Sequence, residues 1–341
     1  MALHNRVNGK VLKERSRRSL EKRITLSFYK YFQNHDPKQY RDQLYRQWSE
    51  LAVMGRIYVA EEGINAQISV PELRFEEFKK ALSQCGLAGV WLNFAVEDDS
   101  WSFFKLRIVV KNKILTDGLN DKTFDVTNSA EHLDAESFNK LTDDPGTFVV
   151  DMRNHYESEI GHFENAILPD TDSFRETLRV VEKQLKHKKD RHIIMYCTGG
   201  IRCEKASAYY KHKGFKNVYQ LDGGIIKYAT TIKEKGLRNK FKGKNFVFDQ
   251  RFSERISEEV ISRCHQCGKP CDTHINCKND GCHLLFIQCD QCSIKYNACC
   301  SEECSEIIKL PDEKQKELRS GINRGAKIYK KGRSPKLIYK S

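Results

Sequence analysis

Within Cys197-Thr198-Gly199-Gly200-Ile201-Arg202 a thiol, two adjacent glycines and a guanidinium fall close together in the chain. Adjacent glycines let the backbone curl until successive N–H groups point inward, and the start of a following helix adds unpaired N–H groups and its positive dipole end. A thiol at the mouth of such a cradle is biased toward thiolate, the nucleophilic form. Arg202 supplies a fixed positive charge able to hold an anionic group. A buried cysteine at a strand end, followed by a plain turn, is the alternative. The coincidence of Cys, Gly-Gly and Arg at one junction favours a reactive thiol in an anion cradle, with Thr198, Gly199, Gly200 and Ile201 lining it.

A second group of thiols has a different grammar. Ten of the 13 cysteines lie between Cys264 and Cys304. Two Cys-x-x-Cys pairs, Cys264/Cys267 and Cys289/Cys292, are accompanied by Cys271, Cys277, Cys282, Cys299, Cys300 and Cys304. In a chain with no export signal this spacing predicts metal ligation over disulfides, with at least one tetrahedral thiolate zinc site. Such a site is structural, because a fully thiolate-bound zinc has no open position. Ten thiols exceed the eight that two sites use, and His265, His274 and His283 compete as ligands.

The elements that position Cys197 are legible around it. His192 to Tyr196 is a short apolar strand that stops at the loop, and a helix-compatible segment follows from about Cys203. Thr147–Arg153 reads as another buried strand, Asn217–Leu221 as a third, with helices over 134–143, 173–186 and from Gly223-Gly224 to about Lys235. Short apolar strands alternating with helices predict a parallel sheet covered on both faces, with ligands at the carboxyl ends of strands, where Asp151 and Cys197 fall. Upstream, strands at 24–32, 55–70 (bent at Glu62-Gly63) and 103–110 and helices at 37–51 and 71–82 give the order β-α-β-β-α-β, which suggests a ferredoxin-like α+β domain.

The expected organisation is therefore α/β and multidomain. A basic tail (1–22) precedes a ferredoxin-like domain (23–114), a linker (115–133), a parallel α/β domain (134–238), a Cys-rich module (239–310) and a second basic tail (311–341). Hydrophobic residues at 39% and charged residues at 31% fit a soluble protein with a large solvated surface. No apolar run approaches the roughly 18–20 residues of a membrane span, and the amino terminus lacks an apolar signal core, so a cytoplasmic location is expected. The formal charge of +13, concentrated at the ends, points to a nucleic-acid partner. Solubilising disordered tails are the alternative.

The middle unit resembles a rhodanese domain in Asp151-Met152-Arg153, Glu157, Gly161-His162-Phe163, the Cys197–Arg202 loop and Leu221-Asp222-Gly223-Gly224-Ile225. Four residues separate Cys197 from Arg202, as in rhodanese loops, whereas related cysteine phosphatases use a longer one. With Glu62-Gly63-Ile64-Asn65 upstream, the extended string Cys197 to Lys205 and the Cys-rich module, the chain is similar to the rhodanese-containing tRNA uridine hydroxylases of the TrhO (YceA) type. Ala66 departs from that pattern, where members usually carry glycine.

The resemblance implies oxygen-dependent conversion of the wobble uridine (tRNA position 34) to 5-hydroxyuridine, with O2 as co-substrate, an unidentified reductant and the anticodon arm of tRNA as partner. Carried over, Cys197 is the essential cysteine, Arg202 and the loop amides its cradle, and Asp151 and Arg153 neighbours that hold the loop or substrate. Glu62 and Asn65 contact RNA or simply form a turn. Cys203 is a resolving thiol or a small helix-start residue, and His162 a proton shuttle or a structural histidine. The loop chemistry alone suits a sulfurtransferase better than a hydroxylase, with Cys197 carrying a persulfide taken from a donor such as thiosulfate, because no residue shows how oxygen would be activated without flavin, haem or a redox metal.

Overall fold

The computed structural model describes residues 3, 7–97, 101–119, 121, 123–321, 334 and 336–339. Much of the carboxy-terminal basic segment and Arg6 of the amino-terminal one lie outside the described residues. Part of the expected amino-terminal tail is a helix, α1 (Gly9–Arg18), seated with Lys13 over Phe104 and Arg17 over Trp101.

The first domain is a sheet of β1 (Arg23–Tyr31), β2 (Met54–Ala60), β3 (Gly63–Pro71), β4 (Asn93–Phe94) and β5 (Leu106–Val110) in the order β4-β1-β3-β2-β5. Helices α2 (Pro37–Glu50) and α3 (Phe75–Gln84) cover one face. Asp36 caps α2 by accepting from the Lys38 and Gln39 amides, and Pro37 spends its missing N–H where no partner exists. Alternate strand residues (Leu26, Phe28, Ile57, Val59, Ile64, Ile68) pack on Trp48 and Phe78. The other face carries Ser27, Tyr29, Arg56, Tyr58, Asn65 and Gln67, none of them fully buried.

The first four strands have the ferredoxin-like order, but the expected fourth strand is corrected. The short Asn93–Phe94 pairs antiparallel with β1, while Leu106–Val110 pairs parallel with β2 on the opposite edge. A two-residue strand leaves no periodicity to detect, and the more apolar 103–110 run masks it.

The second domain is a parallel sheet of β6 (Glu131–Leu133), β7 (Phe148–Asp151), β9 (His192–Tyr196) and β10 (Asn217–Leu221), ordered β6-β10-β9-β7; β8 (Gly161–Phe163) lies in another sheet. On one face α6 (Phe174–Leu185) and α7 (Ile201–His212) pack on Val150, Ile193 and Met195. On the other, α4 (Ala135–Leu141) and α8 (Gly224–Lys235) pack on Val149, Ile194 and Tyr196. The short α5 (His155–Ser158) follows β7. Successive residues of the run 192–196 serve opposite faces, which is why the whole strand is apolar.

β8 pairs with β11 (Phe241–Phe246), which pairs with β12 (Ser253–Arg255), tying the second domain to the Cys-rich module. That module holds the hairpin β13 (His274–Asn276) and β14 (Leu285–Ile287) and helices α9 (Asp290–Lys295), α10 (Glu302–Ile307) and α11 (Asp312–Arg319). Among the described residues no helix is long and apolar enough to cross a membrane.

Candidate active site

Cys197 sits between the end of β9 and the first turn of α7, fully buried, with the Gly200 amide donating to its Sγ at 3.2 Å. Burial alone raises a thiol pKa. Here a hydrogen bond from Cys203, the Arg202 charge and the Arg202 and Cys203 amides outweigh it, and Cys197 is lowered to about 6. These surroundings favour the thiolate over the thiol. The Cys203 thiol, also fully buried, is pushed well up by burial and by its negative neighbour. Kept protonated beside Cys197, it favours the neighbouring anion, which the smallness of the residue alone did not suggest.

Two glycines make this loop possible. Gly200 has φ +99°, and a Cβ there would lie 2.8 Å from the Tyr29 hydroxyl. Gly224 has φ +64°, and a Cβ would stand 2.5 Å from the Cys197 carbonyl. Without one, the amides of Ile225 and Ile226 at the start of α8 reach the Cys197 and Thr198 carbonyls at 3.0 and 3.2 Å. The Gly223-Gly224 motif thus supports the loop from beneath.

Arg202 is committed. Its guanidinium makes a two-pronged pair with the fully buried Glu157 carboxylate at 2.7 and 2.8 Å, and reaches Thr198 Oγ1 at 3.4 Å. Burial opposes the guanidinium charge, but Glu157 holds it firmly protonated. Arg202 thus biases the neighbouring thiol while most of its own field is cancelled. Asp151 and Arg153 form a separate pair, both with no exposed side chain. Arg153 also donates to the Gly161 carbonyl at 2.6 Å and to Asn245. They fasten β7 to β8 and β11 and are not among the residues that line the cavity at Cys197. His162 Nδ1 lies 2.9 Å from the Ser158 carbonyl, holding a turn.

That cavity, about 490 Å³, lies between the two domains. Cys197, Thr198, Gly199, Ile201 and Arg202 form one wall, and the polar face of the first domain's sheet, including Asn65, forms the other. Tyr156 and Phe248 contribute aromatic surface. The sequence reading missed the sheet wall, although alternation of apolar and polar residues along 26–29, 56–59 and 64–68 carries the signal.

Glu62 is not on the cavity wall. Its carboxylate takes both bonds from Lys205 Nζ at 2.8 Å and accepts from the Ile114 amide at 2.8 Å. Lys205, 1% exposed, also bonds Asp117 at 2.8 Å and the Leu115 carbonyl at 3.1 Å. Glu204 accepts from the Tyr29 hydroxyl at 3.1 Å, and Asn93 donates to the Gly199 carbonyl at 3.3 Å. Glu204-Lys205 is thus a latch that aligns the first domain against the thiolate loop.

The Cys-rich module gathers its thiols into two groups, Cys264, Cys267, Cys289 and Cys292, and Cys277, Cys282, Cys300 and Cys304, each with all sulfurs within 4.8 Å of one another. Sulfur separations of 3.6 Å (Cys267–Cys289), 3.6 Å (Cys282–Cys300) and 3.8 Å (Cys300–Cys304) match the roughly 3.8 Å edge of a tetrahedron with Zn–S bonds of about 2.3 Å. The amides of Cys289 and Cys300 donate to Cys264 and Cys277 sulfurs, as ligand-bearing turns require. Cys271 and Cys299, expected among the candidate ligands, fall outside both groups. The histidines stay outside too: His265 pairs with Glu159, His274 packs on Phe246 and His283 lies near Asp280.

Family models match the chain in three places: an acylphosphatase like domain of UPF0176 type over 23–114, a Rhodanese-like domain over 134–231 and a Rhodanase C-terminal unit over 242–305. The chain is 56% identical over 333 residues to the tRNA uridine(34) hydroxylase of Yersinia pestis (strain Pestoides F), covering 97% of this chain and 94% of that protein. It is equally similar, at 56%, to the protein of the same name from Yersinia enterocolitica, covering 97% and 95%. Among solved structures, a rhodanese-like domain from Anabaena sp. shares 20% identity over 33% of this chain and 78% of that one, with a TM-score of 0.27, too low to add to the assignment. With more than half of its residues shared along almost the full length, the chain belongs to the tRNA uridine(34) hydroxylase family.

Proposed function

We propose that this chain hydroxylates C5 of uridine 34 in tRNA, with the base held in the cavity above Cys197. The observation that carries the reading is a thiolate-biased cysteine on the wall of an interdomain cavity whose other wall is aromatic and basic, in a chain 56% identical to proteins of that name. A wobble base lies in a single-stranded loop, so it enters such a cavity without the cost of opening a duplex. Replacing C5–H by C5–OH with O2 as oxidant also forms water and takes two electrons and two protons from a reductant. The Cys197 thiolate supplies a nucleophile beside the ring, Gly200 and Cys203 hold its charge, and the Glu204–Lys205 latch fixes the opposing wall. Each four-cysteine group would hold one structural zinc ion, and with all four positions taken by thiolates the ion would brace the carboxy-terminal module.

The test is reaction of purified protein, with a cell-derived reductant fraction, on tRNA lacking the modification under 18O-labelled oxygen gas. The hydroxyl of 5-hydroxyuridine is expected to carry the label. Product with oxygen from water, or formation of 2-thiouridine with a persulfide on Cys197 instead, overturns the reading.

A further inference from the structure

The sheet wall of the cavity extends beyond the space around Cys197, and its pattern has a second use. Strand register places Tyr29, Asn65 and Tyr58 in one cross-strand row and Ser27, Gln67 and Arg56 in the next. At about 4.8 Å per strand, Tyr58 stands roughly 10 Å along its row from Tyr29. Tyr29 itself is pinned to the Cys197 loop through Glu204. Tyr58 is half-buried, and Lys111 Nζ hangs 5.7 Å above its ring centroid.

Arg202 is matched by Glu157, Lys113 by Asp117 and Asp172 by His155. Arg56 and Lys111, both exposed, are the charged lining residues left with no carboxylate partner among the described residues. What remains on the outer part of the wall is a cluster of an aromatic ring, Tyr58, with one cation two residues before it on the same strand and another over its face. Positive charge tracking a backbone beside a ring that stacks a base is the pattern with which proteins hold single-stranded nucleic acid.

We propose that this cluster is a flanking-nucleotide site: the base next to the target uridine stacks on Tyr58, while Arg56 and Lys111 take the adjoining phosphates. The proposal rests on the reading of the Cys197 cavity as the uridine site and assigns RNA positioning to the amino-terminal domain. Stacking on a tyrosine face is tolerant of base identity, so the site sets register on the loop more than sequence choice.

The experiment measures binding of an unmodified tRNA transcript to the full-length protein over a range of salt concentrations, together with KM and kcat for hydroxylation. Tyr58→Ala is expected to weaken binding about 5- to 150-fold and to raise KM by a similar factor with little change in kcat, while Tyr58→Phe keeps wild-type affinity. Arg56→Ala and Lys111→Ala each lower the slope of log K against log salt by about one. Affinity within twofold of wild type in Tyr58→Ala, or an unchanged salt slope in both cation variants, overturns the proposal. Should Tyr58→Ala fail to fold, the two exposed cations decide it. A wild-type protein that binds tRNA but forms no 5-hydroxyuridine refutes the uridine-site reading instead, and hydroxylation with variants unchanged in KM refutes only the flanking site.

Discussion

Replacing Cys203 by alanine separates the hydrogen bond that supports the thiolate from the other contributions to it. Cys197 titrates at about 6 because, against burial, the Cys203 thiol, the Arg202 charge and two amides favour the anion. A hydrogen bond to a charged group contributes about 1.5–3 kcal/mol, and a pKa unit is about 1.4 kcal/mol, so Cys203→Ala should raise the Cys197 pKa by about 1–2 units. The thiolate share at pH 7 then falls from about nine-tenths to between roughly a half and a tenth. The sign for stability follows. A depressed acid pKa stabilises the fold fully above the ordinary thiol value and loses that contribution as pH falls through about 6. The variant should therefore show a smaller stability loss on acidification across that window. The assay is peptide-resolved mass spectrometry of iodoacetamide alkylation at Cys197 as a function of pH. Half-maximal reactivity near 6 in wild type should move to about 7–8 in Cys203→Ala and return most of the way in Cys203→Ser, which restores a donor. An unshifted titration in Cys203→Ala refutes the donor role and leaves the amides and Arg202 as sole supports.

Further outcomes follow from the latch and the thiol clusters. Lys205→Met leaves Glu62 without its cation and the interior Asp117 with Lys113 alone, so urea unfolding should show a loss of up to about 3 kcal/mol; a loss under about 1 kcal/mol contradicts the latch. Elemental analysis should find two zinc ions per chain, with one lost in Cys264→Ser or Cys304→Ser and both kept in Cys271→Ser and Cys299→Ser. One ion in wild type, or loss of zinc in Cys271→Ser, contradicts the assignment of the clusters.

Local grammar carried the second domain: the runs 192–196 and 217–221 are strands at those bounds, because buried parallel strands are short, apolar and punctuated by glycine. The loop thiol was legible for the same reason, since its chemistry depends on neighbours within a few residues. Contacts that join distant segments were not. Glu62 reads as part of a turn until Lys205, on a helix of another domain, is found holding it. Arg202 reads as an open anion site until Glu157 is found on it. Ten cysteines gave the chemistry of the third module, but only folding sorts eight of them into two tetrads. Asn93–Phe94 is a strand because β1 offers it an edge, not because of its own residues.

The most direct test of the central claim is nucleoside mass spectrometry of tRNA from a strain lacking this protein and every parallel route to the modification, complemented with wild type or with Cys197→Ser at equal abundance. Wild type is expected to restore 5-hydroxyuridine at position 34 and Cys197→Ser to leave uridine there. Full restoration by Cys197→Ser would contradict a reaction built on that thiolate.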